Sequence, residues 1–295
     1  MVTNLNKIAV LLIILVVVTV GAQAITGTGA HRSSVKFQDS YNVTWSPAYV
    51  NLLNEGLTVQ LLLNQSSGSG FVSCNKYVFG YFSMQIKLPG NDSAGTVTTY
   101  YLSSDELTNK HDELDFEFLG NRSGQPYIVQ TNVFAQGIGG REQRIYLWFD
   151  PSADFHSYSF LWNQNTIIFL VDDVPIRIFK NNTSLGIPYP SSQPMRLYGS
   201  LWNGEDWATR GGLEKTNWTQ APFVASYRNF LVDSSSIASQ NSSLHDLWWN
   251  RSRFQALNKN QTVKLRWVYQ NYLVYDYCTD RARYPVFPSE CAVNM

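Results

Sequence analysis

The stretch from His111 to Asn121 reads His-Asp-Glu-Leu-Asp-Phe-Glu-Phe-Leu-Gly-Asn and alternates acidic with apolar residues. Because successive side chains of a β-strand point to opposite faces, this period of two predicts a strand with two unlike faces. The apolar face, which we expect to pack into a core, consists of Leu114, Phe116 and Phe118, and the acidic face consists of Glu113, Asp115 and Glu117.

Three carboxylates on one face repel each other, so folding gains nothing from them and a functional role is favoured. Crowding raises at least one carboxyl pKa, which supplies a proton donor near neutral pH. At ~3.3 Å per residue, the Cα atoms of Glu113 and Glu117 lie ~13 Å apart. Leaning side chains could bring the carboxyls to ~5 Å, as in a retaining glycosidase, or leave the roughly 6.5–9.5 Å of an inverting one. The strand spacing alone does not choose between the two.

The competing interpretations of the acidic face are a solvated surface and a Ca²⁺ site. Calcium is usually bound by oxygens that converge from loops rather than from one straight strand. We therefore predict no metal and no cofactor.

Strand patterns with turns between them dominate the chain as far as about residue 240. Residues 81–88 alternate, and residues 167–179 form a predicted hairpin whose turn is Asp172-Asp173. Pro175 restricts the returning strand to an edge position or to its first residues. Further candidate strands are 144–149, 156–162 and 195–202. Together these favour an all-β, antiparallel sandwich.

The last fifty residues differ, because apolar residues recur at helical spacing in 244–257 and again in 265–272. We predict a helix and strand extension that packs on the sandwich. The expected organisation is a signal peptide at 1–24, a catalytic β-domain at 25–240 and a C-terminal extension at 241–295.

The composition narrows the class of ligand. Lys+Arg and Asp+Glu both number 22, and charged residues make up 15% of the chain, against roughly 25% in an ordinary domain. Nucleic acids and anionic membranes need clustered cations, so neither is an expected partner. The chain has 9 Trp, 17 Tyr and 16 Phe, which suits a neutral ligand that stacks, such as carbohydrate. The alternative is an aromatic-rich β core.

The N-terminus resembles a secretory signal. Lys7 precedes an apolar run from Ile8 to Val20, and Ala22-Gln23-Ala24 fits a small-x-small cleavage site. The run is shorter than the ~20 residues that a membrane span needs, although an uncleaved anchor remains the alternative. The chain also contains ten Asn-x-Ser/Thr sequons, at Asn42, Asn64, Asn91, Asn121, Asn181, Asn182, Asn217, Asn241, Asn250 and Asn260. Both features predict export.

The three cysteines are Cys74, Cys278 and Cys291. An odd count in an exported protein leaves one cysteine without an intramolecular partner. Because Cys278 and Cys291 enclose a short loop that contains Pro285 and Pro288, we predict that they form the disulfide and that Cys74 is a buried, inert thiol.

At residues 111–121 the chain resembles the plant xyloglucan endotransglucosylase/hydrolases of glycoside hydrolase family 16, with Leu114 in place of the usual Ile. The resemblance extends from about Phe37 to Cys291. It includes the segments Gln130–Val133, Ser200–Asn203, Asp206–Gly212, Tyr277–Asp280 and Arg283–Pro285.

This resemblance implies a β-jelly-roll with a concave substrate cleft and a retaining double displacement. Glu113 would be the nucleophile, Glu117 the acid and base, and Asp115 a hydrogen-bonding partner of Glu113. Asn121 matches the family's glycan site. The implied sugar-binding residues are Gln130, Thr131, Asn132, Arg141, Glu142, Asp206, Trp207, Gly211 and Arg283. The implied partners are a xyloglucan donor and a xyloglucan or oligosaccharide acceptor, bound by a monomer in the cell wall.

The chain departs from the family pattern in three places. Gly140 replaces a common Asn or Asp, so one polar sugar contact is expected to be missing. Residues 232–243 contain neither cysteine of the usual second disulfide, which removes about 2–4 kcal/mol of stabilisation. Cys74 is not part of the usual set.

Three functions fit these residues. The segment Arg210–Trp218 resembles the transferase branch, which favours a secreted enzyme that cuts xyloglucan and joins the new end to another chain. The first alternative is a xyloglucan endohydrolase on the same fold. The second, a non-catalytic glucan-binding lectin, is disfavoured because all three carboxylates are retained.

Overall fold

The computed structural model describes residues 35–104, 109–234 and 247–293, so the predicted signal peptide at 1–24 lies outside the described residues. The strands are β1 Tyr41–Trp45, β2 Val50–Leu53, β3 Thr58–Leu63, β4 Ser69–Ser73, β5 Gly80–Lys87, β6 Thr96–Ser103, β7 Glu113–Leu119, β8 Ile128–Phe134, β9 Gln143–Tyr146, β10 His156–Trp162, β11 Thr166–Val171, β12 Val174–Lys180, β13 Arg196–Asn203, β14 Phe223–Asp233 and β15 Leu273–Asp276. The helices are α1 Phe37–Ser40 and α2 Lys259–Tyr272.

These strands form two antiparallel sheets that pack face to face. The first has eight strands in the order β1-β4-β13-β6-β7-β8-β9-β15, and the second has seven in the order β12-β11-β10-β5-β14-β3-β2. One apolar cluster rich in aromatic residues fills the space between them. The predicted all-β sandwich is confirmed, and the many aromatic residues serve the core as well as the site.

The predicted hairpin is formed by β11 and β12. Asp172 and Asp173 both have positive φ, at 47° and 61°, as a tight two-residue hairpin turn requires. β12 is an edge strand of the seven-stranded sheet, and Pro175 is its second residue. The missing N–H of Pro175 is therefore accommodated as predicted.

The acidic strand β7 lies inside the eight-stranded sheet. It pairs with β6 on one side and β8 on the other, and neither ladder contains a register shift. Leu114, Phe116 and Phe118 are at most 1% exposed and face the core. A regular strand keeps the carboxylates on the opposite, outer face, as the alternation predicts.

The C-terminal residues extend the sandwich. β15 pairs with β9 and becomes an edge strand of the eight-stranded sheet, while α2 packs against β12 and β9. α2 contains the predicted helical pattern 265–272 and begins with a capping box formed by Asn258 and Gln261. The predicted domain boundary near residue 240 lies in 235–246, outside the described residues.

The other predicted helical pattern, 244–257, is wrong for its described part. Residues 247–257 contain two short 3₁₀ turns, Trp248–Asn250 and Ser252–Phe254. Asn163 donates through Nδ2 to the carbonyls of Trp249 and Phe254, both at 3.0 Å. These two carbonyls therefore accept hydrogen bonds from a side chain of the sandwich and not from the backbone N–H groups of a further helical turn.

The cysteines agree with the predicted pairing but not with the predicted burial. Cys278 and Cys291 form a disulfide. Cys74 is free and exposed, because β4 ends at Ser73 and the thiol lies just beyond the strand. Its sulfur accepts a hydrogen bond from Asn42 Nδ2 at 3.3 Å. The expectation of a buried thiol is therefore wrong.

Side-chain contacts connect the extension to the sandwich where the family's second disulfide is absent from the sequence. Trp248 donates through Nε1 to Asp233 at 2.6 Å, and its ring packs against Tyr81 with centroids 5.3 Å apart. These contacts join the chain on either side of residues 235–246. Within the described ranges, no helix is both long enough and apolar enough to cross a bilayer.

Candidate active site

A cleft of about 790 Å³ lies on the outer face of the eight-stranded sheet, above the acidic strand. Side chains from β6, β7, β8, β9, β13, β15 and the loops around them form its walls. The lining residues are Thr99, Tyr101, Glu113, Asp115, Glu117, Gln130, Asn132, Phe134, Glu142, Arg144, Ser200, Trp202, Trp207, Tyr275, Asp280 and Arg283.

Asp115 is the most buried of the three carboxylic acids, with 7% of its surface exposed. Burial and the charges of Glu113 and Glu117 raise its pKa well above the usual range, and its hydrogen bond to Glu113 raises the pKa further. The buried Arg177 guanidinium opposes this shift only weakly. A protonated Asp115 can donate a hydrogen bond to the Glu113 carboxylate and hold its orientation.

Glu117 is held by a neighbour on β8. Burial raises the pKa of Glu117, while a hydrogen bond from Gln130 Nε2 lowers it and the charges of Glu113 and Glu142 raise it. Gln130 Oε1 accepts a hydrogen bond from Arg144 Nε at 2.7 Å, which fixes the orientation of the amide. A carboxyl with a raised pKa and a fixed orientation can act as a general acid and, once ionised, as a base.

The wall of the cleft near β15 contains an ion pair between Arg283 and Glu142. Arg283 donates to both oxygens of Glu142, at 2.7 and 3.2 Å. Asn132 also lines the cleft, and its Oδ1 accepts hydrogen bonds from the backbone N–H groups of Val133 and Arg141. The predicted residues Gln130, Asn132, Glu142 and Arg283 are thus brought together around the carboxylates.

Two predicted sugar-binding side chains do not reach the cleft. Thr131 lies between Gln130 and Asn132 on β8, so it points to the core, where its carbonyl and hydroxyl accept hydrogen bonds from Arg177 at 2.9 and 3.0 Å. Arg141 is 3% exposed and pairs with Glu290 of the C-terminal extension. The expectation that Thr131 and Arg141 contact sugar through their side chains is corrected: neither lines the cleft, because both form buried polar contacts elsewhere.

The predicted segment 206–211 is divided between two places. Trp207 lines the cleft beside Trp202, with ring centroids 6.1 Å apart. The Asp206 side chain is 93% exposed and pairs with Lys215 at 3.0 Å. Gly211 lines a neighbouring recess of about 340 Å³, together with Asn121. Trp207 is therefore in reach of a ligand in the cleft, whereas Asp206 is on the surface beside it.

Gly140 lies beside Tyr284, whose hydroxyl donates to its carbonyl. A Cβ at this position would come within 2.5 Å of that hydroxyl oxygen, and φ is +74°. The Asn or Asp that the family commonly has here would displace Tyr284. The observed position of Tyr284 therefore depends on a glycine at residue 140.

Several lining residues were not predicted from the sequence. Tyr101 and Thr99 on β6 stand opposite Asp115 and Glu117 in the ladder. Residues 96–103 show no clear alternation of polar and apolar side chains, so only the strand pairing shows that Tyr101 and Thr99 share the carboxylates' face. Asp280 belongs to the family segment Tyr277–Asp280 but was not among the implied sugar-binding residues, and Tyr275 carried no recognisable signal. Within the described residues, no group of three or more His, Cys, Asp or Glu side chains could hold a metal ion.

Two family models and several plant relatives match this chain over most of its length. The family model "Glycosyl hydrolases family 16" matches residues 37–220, and "Xyloglucan endo-transglycosylase (XET) C-terminus" matches residues 243–291. A probable xyloglucan endotransglucosylase/hydrolase protein 5 of Arabidopsis thaliana is 56% identical over 88% of both chains. Xyloglucan endotransglucosylase protein 2 of Diospyros kaki is 57% identical over 87% of this chain and 88% of that protein.

Solved structures resemble the fold at lower identity. A prokaryotic β-1,3-1,4-glucanase from a mouse hindgut metagenome has a TM-score of 0.55 at 22% identity and covers 69% of this chain and 99% of its own. The β-glucanase of Bacillus licheniformis has a TM-score of 0.52 at 24% identity, with coverage of 69% and 91%.

Proposed function

Because the chain belongs to the xyloglucan endotransglucosylase/hydrolases of glycosyl hydrolase family 16, we propose that it cuts xyloglucan and transfers the new chain end to another xyloglucan by a retaining double displacement. The observation that supports this most strongly is the row Glu113, Asp115 and Glu117 on the floor of one cleft. In this row burial and the two neighbouring carboxylates raise the pKa of Asp115, which favours the protonated form that can donate a hydrogen bond.

In the first step, a Glu113 carboxylate oxygen attacks the anomeric carbon of the donor sugar. The bond between that carbon and the leaving oxygen breaks, and the proton on Glu117 passes to the departing oxygen. The product is a glycosyl ester on Glu113. Asp115 holds the attacking carboxylate through its hydrogen bond, and burial of the Glu117 carboxyl keeps the proton available.

In the second step, the ionised Glu117 accepts a proton from a hydroxyl of the acceptor glucan. The acceptor oxygen attacks the anomeric carbon, and the ester bond to Glu113 breaks. Both enzyme carboxyls return to their starting states. Two inversions at one carbon leave the product with the donor's stereochemistry.

Hydrolysis is the same reaction with water as acceptor, so the acceptor side of the cleft decides between the two outcomes. A sugar held in place can exceed water at ~55 M, because oriented groups reach effective molarities of about 10⁵ M or more. Trp202 and Trp207 offer aromatic surface for such stacking. Trp218 does not, because it packs on Phe223 and the core.

We place the enzyme outside the cell, in the wall, as a monomer with a glycan on Asn121. The apolar N-terminal run and the plant relatives support export. Asn121 is partly exposed, and its Nδ2 donates to the carbonyl of Pro126 at 2.9 Å. An N-linked sugar replaces one amide hydrogen and leaves the other for this bond.

The function is tested by incubating purified protein with xyloglucan and a labelled xyloglucan oligosaccharide. Transfer predicts label in polymer at a rate that exceeds the appearance of new reducing ends. New reducing ends without labelled polymer would make the protein a hydrolase. The absence of both labelled polymer and new reducing ends would contradict transferase and hydrolase activity alike.

A further inference from the structure

A second pocket of about 620 Å³ lies at the end of the sandwich, apart from the catalytic residues. Its apolar wall is formed by Trp148 and Phe149, which follow β9, and by Tyr272 at the end of α2. Trp148 packs against Tyr272 with ring centroids 5.7 Å apart, and all three side chains are partly exposed. The proposed reaction uses none of these residues.

The polar residues around this pocket are mostly neutral. Asn91 and Gln125 contribute exposed amides. Asp150 also lines the pocket, but its Oδ1 already accepts hydrogen bonds from the backbone N–H and the hydroxyl of Ser152, at 2.9 and 2.7 Å. Aromatic faces beside amides suit an amphipathic, uncharged ligand, and a pyranose ring has this chemistry.

One source of such a ligand is attached to the chain itself. Asn91 lies in the sequon Asn91-Asp92-Ser93, is exposed and forms part of the pocket wall. A glycan on this amide would begin at the pocket, and its tether would give its first sugars an effective concentration in the millimolar range. Asn121, by contrast, lines the recess beside Gly211.

We propose that Asn91 carries an N-linked glycan whose first sugars lie in this pocket against Trp148 and Tyr272. The glycan shields the exposed aromatic surface and connects the loop before β6 to the segment after β9. The inference rests on the export proposed above, but not on the reaction.

The first test is occupancy. The full-length protein is secreted from a plant or yeast host, digested, and mapped after enzymatic deglycosylation in heavy-oxygen water. We expect glycan on both Asn91 and Asn121. An occupied Asn121 with an unmodified Asn91 overturns this inference and leaves export standing, whereas absence of glycan from both contradicts export as well.

The second test is docking, measured as the rate at which an N-glycosidase releases the Asn91 glycan from the folded protein. Trp148→Ala should accelerate release about fivefold, which corresponds to about 1 kcal/mol of docking. The matched control is Trp267→Ala, because Trp267 touches Trp148 and Tyr272 but does not line the pocket. Equal rates in wild type and Trp148→Ala overturn the docking.

A variant without the glycan gives a readout that does not depend on how Trp148→Ala folds. Asn91 has a φ of 59°, so Asn91→Gly removes the glycan without backbone strain. Hydrogen exchange at residues 147–152 should be faster in Asn91→Gly than in wild type, while transfer activity stays unchanged.

Asn121→Gln is the control for exchange and should leave residues 147–152 unaffected. If Asn121→Gln accelerates exchange there and Asn91→Gly does not, the pocket holds the other glycan and the proposal is wrong. If added xyloglucan oligosaccharide protects these residues in the wild type as strongly as in Asn91→Gly, the pocket belongs to the polysaccharide, which also overturns it.

Discussion

Gln130 stands directly opposite Glu117 in the ladder between β8 and β7, and its Nε2 donates a hydrogen bond to the Glu117 carboxylate. The amide cannot rotate freely, because its oxygen accepts from Arg144 Nε at 2.7 Å. One neutral side chain therefore lowers the pKa of a carboxyl that burial raises. The acid of the proposed reaction is tuned by β8 and not by its own strand alone.

Replacing Gln130 with Leu should move the alkaline limb of the kcat/KM profile to higher pH. The ionised form of Glu117 loses a donor, so its pKa rises further and the acid stays protonated longer. The control is Ser200→Ala, which changes the cleft lining without removing a contact of Glu117. If the alkaline limb has the same pKa in Gln130→Leu as in the wild type, a group other than Glu117 determines it.

Asp115 should make folding stability depend on pH. Its pKa is raised in the folded state, so the folded protein retains a proton that the unfolded chain releases above about pH 4. The stability that this group contributes is present below the unfolded pKa and is lost as pH rises through the folded pKa. Asp115→Asn cannot titrate, so its free energy of unfolding should fall less from about pH 4 to about pH 8.

The matched control is Asp206→Asn, the same substitution on a side chain that is 93% exposed. Denaturant unfolding at a series of pH values should give a wild-type slope for Asp206→Asn and a flatter one for Asp115→Asn. Parallel curves for wild type and Asp115→Asn would show that Asp115 ionises normally in the folded protein.

Much of the site could be predicted from the sequence because it lies on one regular strand. The alternation from Glu113 to Phe118 determines which side chains meet the core and which face outward. The same alternation, applied to Gln130-Thr131-Asn132, places Thr131 in the core and its two neighbours on the outer face. The family resemblance instead implied that all three bind sugar.

The burial of Arg141 and the exposure of Cys74 could not be predicted from the residues next to them in the sequence. Arg141 is buried because Glu290, 149 residues away, provides its counter-charge. Cys74 is exposed because a strand ends one residue before it. Long-range partners and strand ends leave no periodic signal in the chain.

The buried pair Arg141–Glu290 should stabilise the protein without contributing to sugar binding. Their side chains are 4% and 9% exposed, and removing one partner of a buried pair costs about 3 kcal/mol or more. Glu290→Gln should therefore lower the free energy of unfolding by about that amount and leave KM for xyloglucan unchanged. Glu55→Gln, in an exposed pair with Lys36, should change little. If Glu290→Gln instead raised KM without lowering the free energy of unfolding, Arg141 would contribute to sugar binding after all.

Trp207→Ala should lower transfer much more than donor hydrolysis. If the Trp202–Trp207 surface holds the acceptor, its loss lets water compete for the glycosyl-enzyme. The measurement is the ratio of labelled polymer to new reducing ends at fixed donor concentration. Trp267→Ala on α2, outside the cleft lining, should keep the wild-type ratio. Equal loss of both rates in Trp207→Ala would assign Trp207 to the donor side or to the fold.

Glu113 is the residue proposed to carry the glycosyl ester, and the mass of a trapped adduct tests this most directly. Glu117→Ala is mixed with a xyloglucan oligosaccharide that bears an activated aryl leaving group. The first step then needs no acid, and the second lacks its base, so the ester accumulates. We predict one added glycosyl unit, located by peptide mapping on Glu113, and no adduct when Glu113→Gln is combined with Glu117→Ala. Release of the aryl group without an adduct, or an adduct on another residue, would contradict the account.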